Sequence, residues 1–531
     1  MAQYTRANAW NHGGTFANTD LLWYAKGVGV LQTRKLSDPS SWWFLAAIHG
    51  EYVADKKFPG WKFLPAPPPV PVTPLATAKV WSLYKDQCQH QSWFFPPWHR
   101  GYLLALEAHV RAAVVQLGGP ATWALPYWDY LGPANQNTIP PAFTQKKLPD
   151  GSPNPLYVVA RYGPDGDSNI YIPTAAIVKQ HPHDPDFAPG PVTDHCLSND
   201  LFTGDDASTK PPGFGGPVTG FHHGGQTSGN LENNPHNLVH VYVGGSSPDQ
   251  QTYGLMSDPG LAALDPIFYV HHANIDRMWA VWNKKHPNPT DPKWLNGPTA
   301  GGNRKFVMPM PDGSSWTYTP KQMADLGQLN YTYDNLPDPP APAPVLAERL
   351  IKLGAATAAA KVKEGGTVVT DQNTELVGAT EKALSLSRTG AAAAVRLDPG
   401  VRRKVVQSLT QAAESAAPDR VYLELENVRG TFDASVLSVY INLPDNAKPA
   451  DHPELFAGSI ALFGLSRASL QDDQHAGDGL SFVLDISKVV DTLHLSKSLD
   501  VDSLSVKLVP NREIPDHAQI TVGRISIYRK G

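Results

Sequence analysis

The chain contains only two cysteines, Cys88 and Cys196, among its 531 residues. This small number excludes a disulfide framework of the kind found in small secreted proteins. There is no run of about 20 apolar residues, so the sequence predicts no membrane-spanning helix. Residues 1–10 are polar and lack the apolar segment of a secretory signal. We therefore expect a protein that does not bind a membrane and is cytoplasmic, with secretion of a processed form as the alternative.

Neither positive nor negative side chains are in large excess. Lys and Arg number 44 and Asp and Glu 49, which gives a formal net charge of -5. Nucleic-acid-binding domains usually carry a basic patch, so we expect no nucleic acid as a partner. The length predicts two or three domains, and a hydrophobic fraction of 41% is sufficient for large cores.

The first 335 residues carry the helical patterns. Apolar residues recur at helical spacing in four segments, two of which begin with a residue that suits a helix start, Ser41 and Pro266. The intervening residues 131–230 are rich in Pro, Gly, Asn and Asp, and a loop region of that length is usually functional. The predicted helices cover residues 41–49, 98–115, 235–243 and 266–282.

The composition changes after Asp334. Residues 337–344 (PDPPAPAP) are Pro-rich, and an Ala-rich stretch that we expect to be helical or loosely ordered follows to about residue 375. From about residue 419, short segments such as RVYLELENV and LSVKLVP alternate apolar and polar residues, which indicates a β-sandwich. The sequence thus predicts a multidomain α+β protein: a mainly α domain with a four-helix bundle (1–335), a Pro/Ala-rich linker (336–375) and a C-terminal β-sandwich (376–531).

Several of the 19 histidines lie at positions that suit a metal site. His236 and His240 are four residues apart on a predicted helix, which puts both imidazoles on one face. Histidines that project from several helices are typical of a metal site in a bundle. Imidazole suits copper, zinc, iron and nickel, and the lack of Asp or Glu in the set argues against hard cations. The further candidates are His49, His90, His99, His271 and His272.

Two segments resemble type-3 copper proteins. Residues 90–107 (HQSWFFPPWHRGYLLALE) resemble the copper-A region of tyrosinases, polyphenol oxidases and haemocyanins, with a His, an aromatic run, PWHR, an apolar helix and a Glu. Residues 265–276 (DPIFYVHHANID) resemble the copper-B region. The resemblance spans residues 40–335. It is weaker in the C-terminal third, which looks like the β-domain of plant polyphenol oxidases and haemocyanins.

The resemblance implies a binuclear centre of two copper ions. In the copper-B region of the family, one residue of the pair His271–His272 is a ligand. The second residue, His272, matches the family's ligand, which leaves His271 as a packing or hydrogen-bonding neighbour. The motif CQH resembles a thioether link between Cys88 and His90, with a free thiol or a Cys88–Cys196 disulfide as alternatives. The implied ligands are His49, His90 and His99 for copper A, and His236, His240 and His272 for copper B.

The implied activity is hydroxylation of monophenols to o-diphenols and oxidation of o-diphenols to o-quinones with dioxygen. Glu232 and Asn237 match a pair proposed in the family to hold and polarise a water that deprotonates monophenols; the alternative for Glu232 is a loop carboxylate stabilised by a helix dipole. Phe268 resembles an aromatic residue that overhangs the copper pair and limits access, or else it packs in the core. The β-domain resembles a lid that keeps relatives latent, or else it stabilises the fold or forms a homo-oligomer.

Three other functions fit parts of the pattern. A catechol or o-aminophenol oxidase would use the same histidines without monophenol hydroxylation. An oxygen carrier like haemocyanin would bind dioxygen while excluding phenols, but the single copper module and the Glu232–Asn237 pair count against it. A zinc hydrolase would need fewer histidines and usually a carboxylate ligand.

Overall fold

The computed structural model describes residues 4–50, 53, 59–70, 78–173, 192–204, 212–221, 227–297, 305–339, 374–411, 419–471, 477–499 and 502–531. The first part of the chain contains eight described helices and four short strands. The helices are α1 Thr19–Gln32, α2 Trp42–His49, α3 Ala78–Tyr84, α4 Phe95–Gln116, α5 Leu238–Gly244, α6 Ile267–Trp282, α7 Pro292–Leu295 and α8 Pro320–Met323, and the strands are β1 Tyr4–Arg6, β2 Phe306–Pro309, β3 Ser315–Tyr318 and β4 Tyr331–Tyr333.

The C-terminal part, which starts at residue 374, is built around a β-sheet with three helices. Its strands are β5 Thr374–Ala379, β6 Leu384–Ser385, β7 Ala391–Leu397, β8 Arg420–Arg429, β9 Val436–Ile441, β10 Phe456–Ala461, β11 Leu480–Asp485, β12 Ser503–Pro510 and β13 Thr521–Lys530, and its helices are α9 Pro399–Gln411, α10 Leu465–Ala468 and α11 Ser487–Leu495. The predicted fold class, a mainly helical domain followed by a β-domain, is confirmed.

The four predicted helices are present, with bounds shifted by a few residues. The Ser41 side chain caps α2 by accepting a hydrogen bond from the Phe44 amide at 3.0 Å. Helix α4 begins at Phe95, earlier than predicted, because proline in the first helical turn needs no amide partner. The predicted helix at 235–243 is observed as a π-helical turn, Glu232–Asn237, followed by α5, Leu238–Gly244.

Buried charges hold the helices that surround the centre of this domain. Strand β1 pairs in parallel with β4, which brings Arg6 beside Tyr333. The Asp276 carboxylate on α6 accepts hydrogen bonds from Arg6 at 3.1 Å and from Arg100 on α4 at 2.5 Å. The hydroxyls of Tyr331 and Tyr333 donate to the same carboxylate. These two arginines hold the pKa of Asp276 below its usual range despite complete burial, so the network ties α4, α6 and both strands together.

The strands of the β-domain form one hydrogen-bonded sheet in the order β10-β9-β12-β7-β5-β13-β8-β11, with β6 paired to β13. The two end strands, β10 and β11, contact each other, so the sheet curls around its own core. The alternating segments after residue 419 correspond to six of these strands. Strand β7, with the sequence AAAAVRL, was not expected as a strand. It pairs with β5 on one side and β12 on the other, and this pairing overrides the helix propensity of alanine.

The β-domain packs on the helical domain at several points. Arg512, between β12 and β13, donates hydrogen bonds to the carbonyl oxygens of Ser246 at 2.8 Å and Ser247 at 3.0 Å. These residues follow α5 directly. A β-bridge between Thr227 and Ser481 adds a second contact. Most of the predicted Pro/Ala-rich linker, residues 340–373, lies outside the described residues. Among the helices described, none is sufficiently long and apolar to cross a membrane.

We expect the substitution Asp276→Asn to lower the free energy of unfolding by about 3 kcal/mol or more, because it leaves two buried guanidinium groups without their shared counter-charge. Urea denaturation followed by tryptophan fluorescence measures the change. The control is Lys284→Ala, which removes the exposed Lys284–Asp338 ion pair and should change stability by about 1 kcal/mol or less. Equal effects of the two substitutions would contradict the bracing role of Asp276.

Candidate metal centre

Two groups of potential metal-ligand atoms lie side by side in the helical domain. The first group consists of His49, Cys88, His90 and His99, and the second of His236, His240, His271 and His272. Within each group, one ligand atom from every residue lies within 4.8 Å of the others. The structure therefore brings together all six histidines that the resemblance implied as copper ligands.

The first group is supplied by two helices and a loop. His49 is the last residue of α2, and His99 lies in the first turns of α4. His90 lies in the loop that leads into α4, and its side chain is 16% exposed, whereas His49 and His99 are buried. The His49 ring contacts the rings of both others, with centroid distances of 5.4 Å to His90 and 5.6 Å to His99.

The second group is supplied by the π-helical turn, α5 and α6. The Nε2 atom of His272 lies 3.2 Å from Nε2 of His236 and 3.5 Å from Nε2 of His240. These three nitrogens therefore face one point. The His271 ring instead lies over the His236 ring, with centroids 5.4 Å apart and an interplanar angle of 23°. His271 also belongs to the second group, so the choice of His272 as the ligand remains a prediction.

The two groups share a boundary. The rings of His99 and His272 are stacked with centroids 4.6 Å apart and an interplanar angle of 12°. The ring of Phe95 lies between the groups, 4.5 Å from His99 and 4.8 Å from His236. Two metal ions bound by these groups would therefore be neighbours in one buried centre.

Hydrogen bonds that Nδ1 makes with oxygen atoms orient four of the six candidate ligand rings. His99 Nδ1 lies 2.9 Å from the Phe95 carbonyl oxygen, and His240 Nδ1 lies 2.9 Å from that of Met256. His90 and His236 pair their Nδ1 atoms with side-chain oxygens, as described below. A carbonyl oxygen can only accept, so His99 and His240 carry their protons on Nδ1 and keep the Nε2 lone pair for a metal.

Burial keeps these imidazoles neutral. Desolvation lowers the pKa values of His99, His236, His240 and His272 well below the usual value, and the neighbouring histidines lower them further. A metal binds the neutral imidazole, so these residues do not have to lose a proton near neutral pH. The buried Nε2 of His90 and Nδ1 of His272 have no hydrogen-bond partner within the described part of the chain. A set of neutral nitrogen donors fits copper.

Glu232 lies at the boundary between the two groups. Its carboxylate is buried and accepts hydrogen bonds from His90 Nδ1 at 3.0 Å and from the Gln91 amide at 2.8 Å. Asn237 is adjacent to His236 and accepts a hydrogen bond from its Nδ1 at 2.8 Å. In this geometry both predicted residues contact ligand histidines directly, one in each group.

Phe268 lies one helical turn before His272 on α6 and is fully buried. Its ring contacts His272 at 4.1 Å, His49 at 4.7 Å and His240 at 5.6 Å between centroids. The side chain thus contacts histidines of both groups, and its role in limiting access remains a prediction.

Sequence reasoning missed Phe463, which comes from the β-domain. Its ring is stacked on His240, with centroids 4.3 Å apart and an interplanar angle of 22°. It also contacts His236 at 6.1 Å. In the sequence the residue belongs to the alternating segment SIALFGL, and this segment predicts a strand. Strand β10 ends at Ala461, so Phe463 lies in the following turn, where its side chain is free to enter the other domain.

Cys88 and Cys196 are both buried and do not form a disulfide, which excludes the alternative of a bridge between them. The Cys88 sulfur belongs to the first group and lies 3.9 Å from His99 Nε2. The thioether link to His90 remains a prediction. Of the other histidines on helices or nearby loops, His109 is buried and pairs with the Pro309 carbonyl oxygen at 3.0 Å, while His222 and His223 lie outside the described residues.

Comparison with known families agrees with this geometry. The family described as the common central domain of tyrosinase matches residues 39–285. A domain of unknown function (DUF7868) matches residues 373–530. The first match contains all six candidate copper ligands, and the second contains Phe463.

Individual relatives cover both parts of the chain. Tyrosinase HcTyr1 of Hahella sp. (strain CCB-MM4) is 30% identical over 520 residues, which are 96% of this chain and 96% of the relative. Catechol oxidase B of Solanum tuberosum is 26% identical over 442 residues, which are 80% of this chain and 64% of the relative.

Among solved structures, latent apple tyrosinase has the same fold, with a TM-score of 0.59 and 20% identity over 100% of this chain and 98% of the apple protein. Family, fold and the two histidine groups agree with each other. The chain therefore belongs to the tyrosinase/polyphenol oxidase family, the copper oxidoreductases that act on phenols with dioxygen at a binuclear type-3 centre.

Proposed function

We propose that the protein hydroxylates monophenols to o-diphenols and also oxidises o-diphenols to o-quinones. The observation that carries this proposal is the buried Glu232 carboxylate at the boundary of the two histidine groups. A diphenol oxidase and a monophenol hydroxylase share the same metal ligands. A base next to the centre is the feature that the hydroxylation of monophenols requires in addition.

We propose His49, His90 and His99 as the ligands of one copper ion, and His236, His240 and His272 as those of the other. When bound, copper supplies the redox chemistry that couples the reduction of dioxygen to the oxidation of a phenol. The chain itself contributes neutral histidine nitrogens as metal ligands. It holds the imidazole rings in place with oxygen atoms that accept hydrogen bonds from Nδ1. It also excludes bulk water from the centre with the rings of Phe95 and Phe268.

The role of Glu232 follows from the acidity of phenols. A phenol has a pKa of about 10, so it must lose its proton to a base before it can react near neutral pH. An ionised carboxylate has about four lone-pair positions. Glu232 uses three of them for His90 and for the two contacts with the Gln91 amide. The remaining position can accept the proton of a phenol, directly or through a water held by the Asn237 amide.

A narrower function, catechol oxidation without monophenol hydroxylation, is the second candidate. It is favoured by the same contacts, because a carboxylate that binds His90 and Gln91 could serve only to orient His90 and its loop. The potato relative is named a catechol oxidase, while the Hahella relative is named a tyrosinase. Turnover of a monophenol by copper-loaded protein distinguishes the two functions.

We further propose that the β-domain keeps the enzyme latent. The Phe463 ring stacked on His240 occupies space next to a proposed copper ligand, where the aromatic ring of a phenol would have to approach. Arg512 donates hydrogen bonds to the Ser246 and Ser247 carbonyl oxygens, which holds the β-domain on the segment that follows the His240 helix, α5. Substrate binding therefore requires the turn with Phe463 to move away.

We expect the substitution His240→Ala to lower the copper content from about two ions per chain to about one, because it removes one of three nitrogen donors to one ion. Atomic absorption after copper loading and desalting measures the change. The control is His286→Ala, which removes a histidine that stacks on Trp282 and lies outside both groups. Unchanged copper content in His240→Ala would contradict the ligand assignment.

We expect the substitution Glu232→Gln to lower monophenol turnover by about 100-fold, while diphenol turnover falls by less than about tenfold, because only the monophenol must lose a proton to this base. Steady-state rates with tyrosine and catechol measure both effects, and the copper content must match that of the wild type. An equal loss for both substrates would show that Glu232 acts only by orienting His90.

We expect the substitution Phe463→Ala to raise kcat/KM for catechol by about tenfold or more, since a blocked site reduces apparent substrate affinity in proportion to the blocked fraction. The control is Phe432→Ala, which removes a buried ring of the same domain that contacts His517. A gain in both variants would indicate general loosening of the β-domain. No gain in Phe463→Ala would contradict the proposed block.

A further inference from the structure

Two buried carboxylates, one from each domain, lie at the contact that seats Phe463. Asp258 belongs to the loop after α5 in the helical domain and is 3% exposed, and Asp433 belongs to the β-domain and is 2% exposed. Asp258 directly precedes Pro259, and Asp433 binds Ser466, two residues after Gly464, so both carboxylates lie beside the place where Pro259 and Gly464 approach each other. Burial raises the pKa of Asp433, and the negative charge of Asp258 raises it further.

Each carboxylate supports one side of this contact. On the β-domain side, Asp433 accepts hydrogen bonds from two groups of Ser466, the backbone amide at 2.7 Å and the side-chain hydroxyl. Ser466 lies three residues after Phe463. On the helical side, Asp258 accepts from the Tyr253 hydroxyl and the Gly260 amide, both at 2.9 Å.

The chain segments between these anchors approach each other across the interface. Gly464 adopts a left-handed conformation with φ of 82°, and a side-chain carbon at this position would lie 3.8 Å from the Pro259 ring. Pro259 follows Asp258 directly, and Gly464 follows Phe463. The Asp258 loop also supplies the Met256 carbonyl that accepts from His240. Separation of the two carboxylates would therefore move Phe463 relative to His240.

No cation neutralises this pair in the described ranges: neither Asp258 nor Asp433 forms an ion pair there. The titratable groups that face the pair are the two carboxylates themselves and the Tyr253 phenol. The other donors to the pair, from Ser466 and Gly260, are uncharged. Two ionised carboxylates in this buried space would repel each other without compensation.

We propose that Asp258 and Asp433 form a proton-dependent lock, which holds Phe463 over the centre while they are protonated and releases it when they ionise. The lock concerns regulation of the proposed oxidase and rests on the proposal that the β-domain keeps it latent. It requires no co-reactant other than the solvent proton.

Burial raises the pKa of Asp258 to about 6, and burial together with Asp258 raises that of Asp433 to about 7. The closed state thus binds more protons than an open state in which both groups are hydrated and titrate near their usual values. The stability of the closed state is greatest below those usual values and falls as the pH rises towards about 7. Above that range the loss is complete, so alkaline conditions favour release.

Hydrogen exchange of residues 456–466 in the full-length, copper-loaded protein tests the lock. Mass spectrometry measures the exchange at several pH values between about 5 and 8, corrected for the intrinsic effect of pH. We expect the opening equilibrium of this segment to rise by about tenfold or more over that range. Asp433→Asn and, independently, Asp258→Asn mimic the protonated groups and should remove most of this rise.

The control is Asp398→Asn, because Asp398 is an exposed carboxylate that accepts from the Gly400 amide at 2.8 Å. It should leave the rise as in the wild type. A rise that persists in both Asp433→Asn and Asp258→Asn, or no rise in the wild type, overturns the lock.

The rate of catechol oxidation by the wild type, divided at each pH by that of Phe463→Ala, supplies a second readout. This ratio cancels the pH dependence of the centre itself and should increase with pH. Absence of oxidation in both proteins would refute the proposed function, while the exchange data would still decide the lock.

Discussion

The structure depends on one constraint: the six candidate ligand imidazoles must be held so that their nitrogen lone pairs point into one largely buried space. A buried imidazole carries one N–H that needs an acceptor, and the same hydrogen bond decides which nitrogen remains free. Here the acceptors are two backbone carbonyls, at Phe95 and Met256, and two side chains, Glu232 and Asn237. The helices and loops around the centre serve to bring these acceptors behind the rings.

This requirement explains why the surrounding helices are held by charges as well as by apolar packing. His99 and His272 lie on α4 and α6, and small shifts of these helices would separate two stacked rings of different groups. The Asp276 carboxylate joins the same helices through Arg100 and reaches the first strand through Arg6. The charges compensate one another, so the network can be fully buried. It fixes the distance between the helices more precisely than apolar contacts alone.

The contact of the β-domain with the centre differs, because its buried charges are not compensated. Arg512 binds uncharged carbonyl oxygens, and among the described residues neither Asp258 nor Asp433 forms an ion pair. Such a contact is less stable than a compensated one, and its stability depends on the protonation of two side chains. This property suits the proposed role of the β-domain as a cover that leaves the centre. Phe463 lies three residues before Ser466, which binds Asp433. The protonation of the two carboxylates is therefore linked to the access of a substrate to the centre.

The sequence by itself determined the helical segments, the β-domain and the identity of the six candidate ligands. These features are read directly along the chain: apolar spacing, proline in a first helical turn, histidines four residues apart, and two segments that resemble the copper regions of a known family. The Ala391–Leu397 strand was not predictable in this way, because its alanines form a strand only through pairing with β5 and β12. Only the tertiary structure decided that His99 stacks on His272, that Glu232 contacts His90, and that Phe463 reaches His240. Each of these contacts joins residues distant along the chain or depends on the rotation of a single helix, and neither distance nor rotation is encoded in a local pattern.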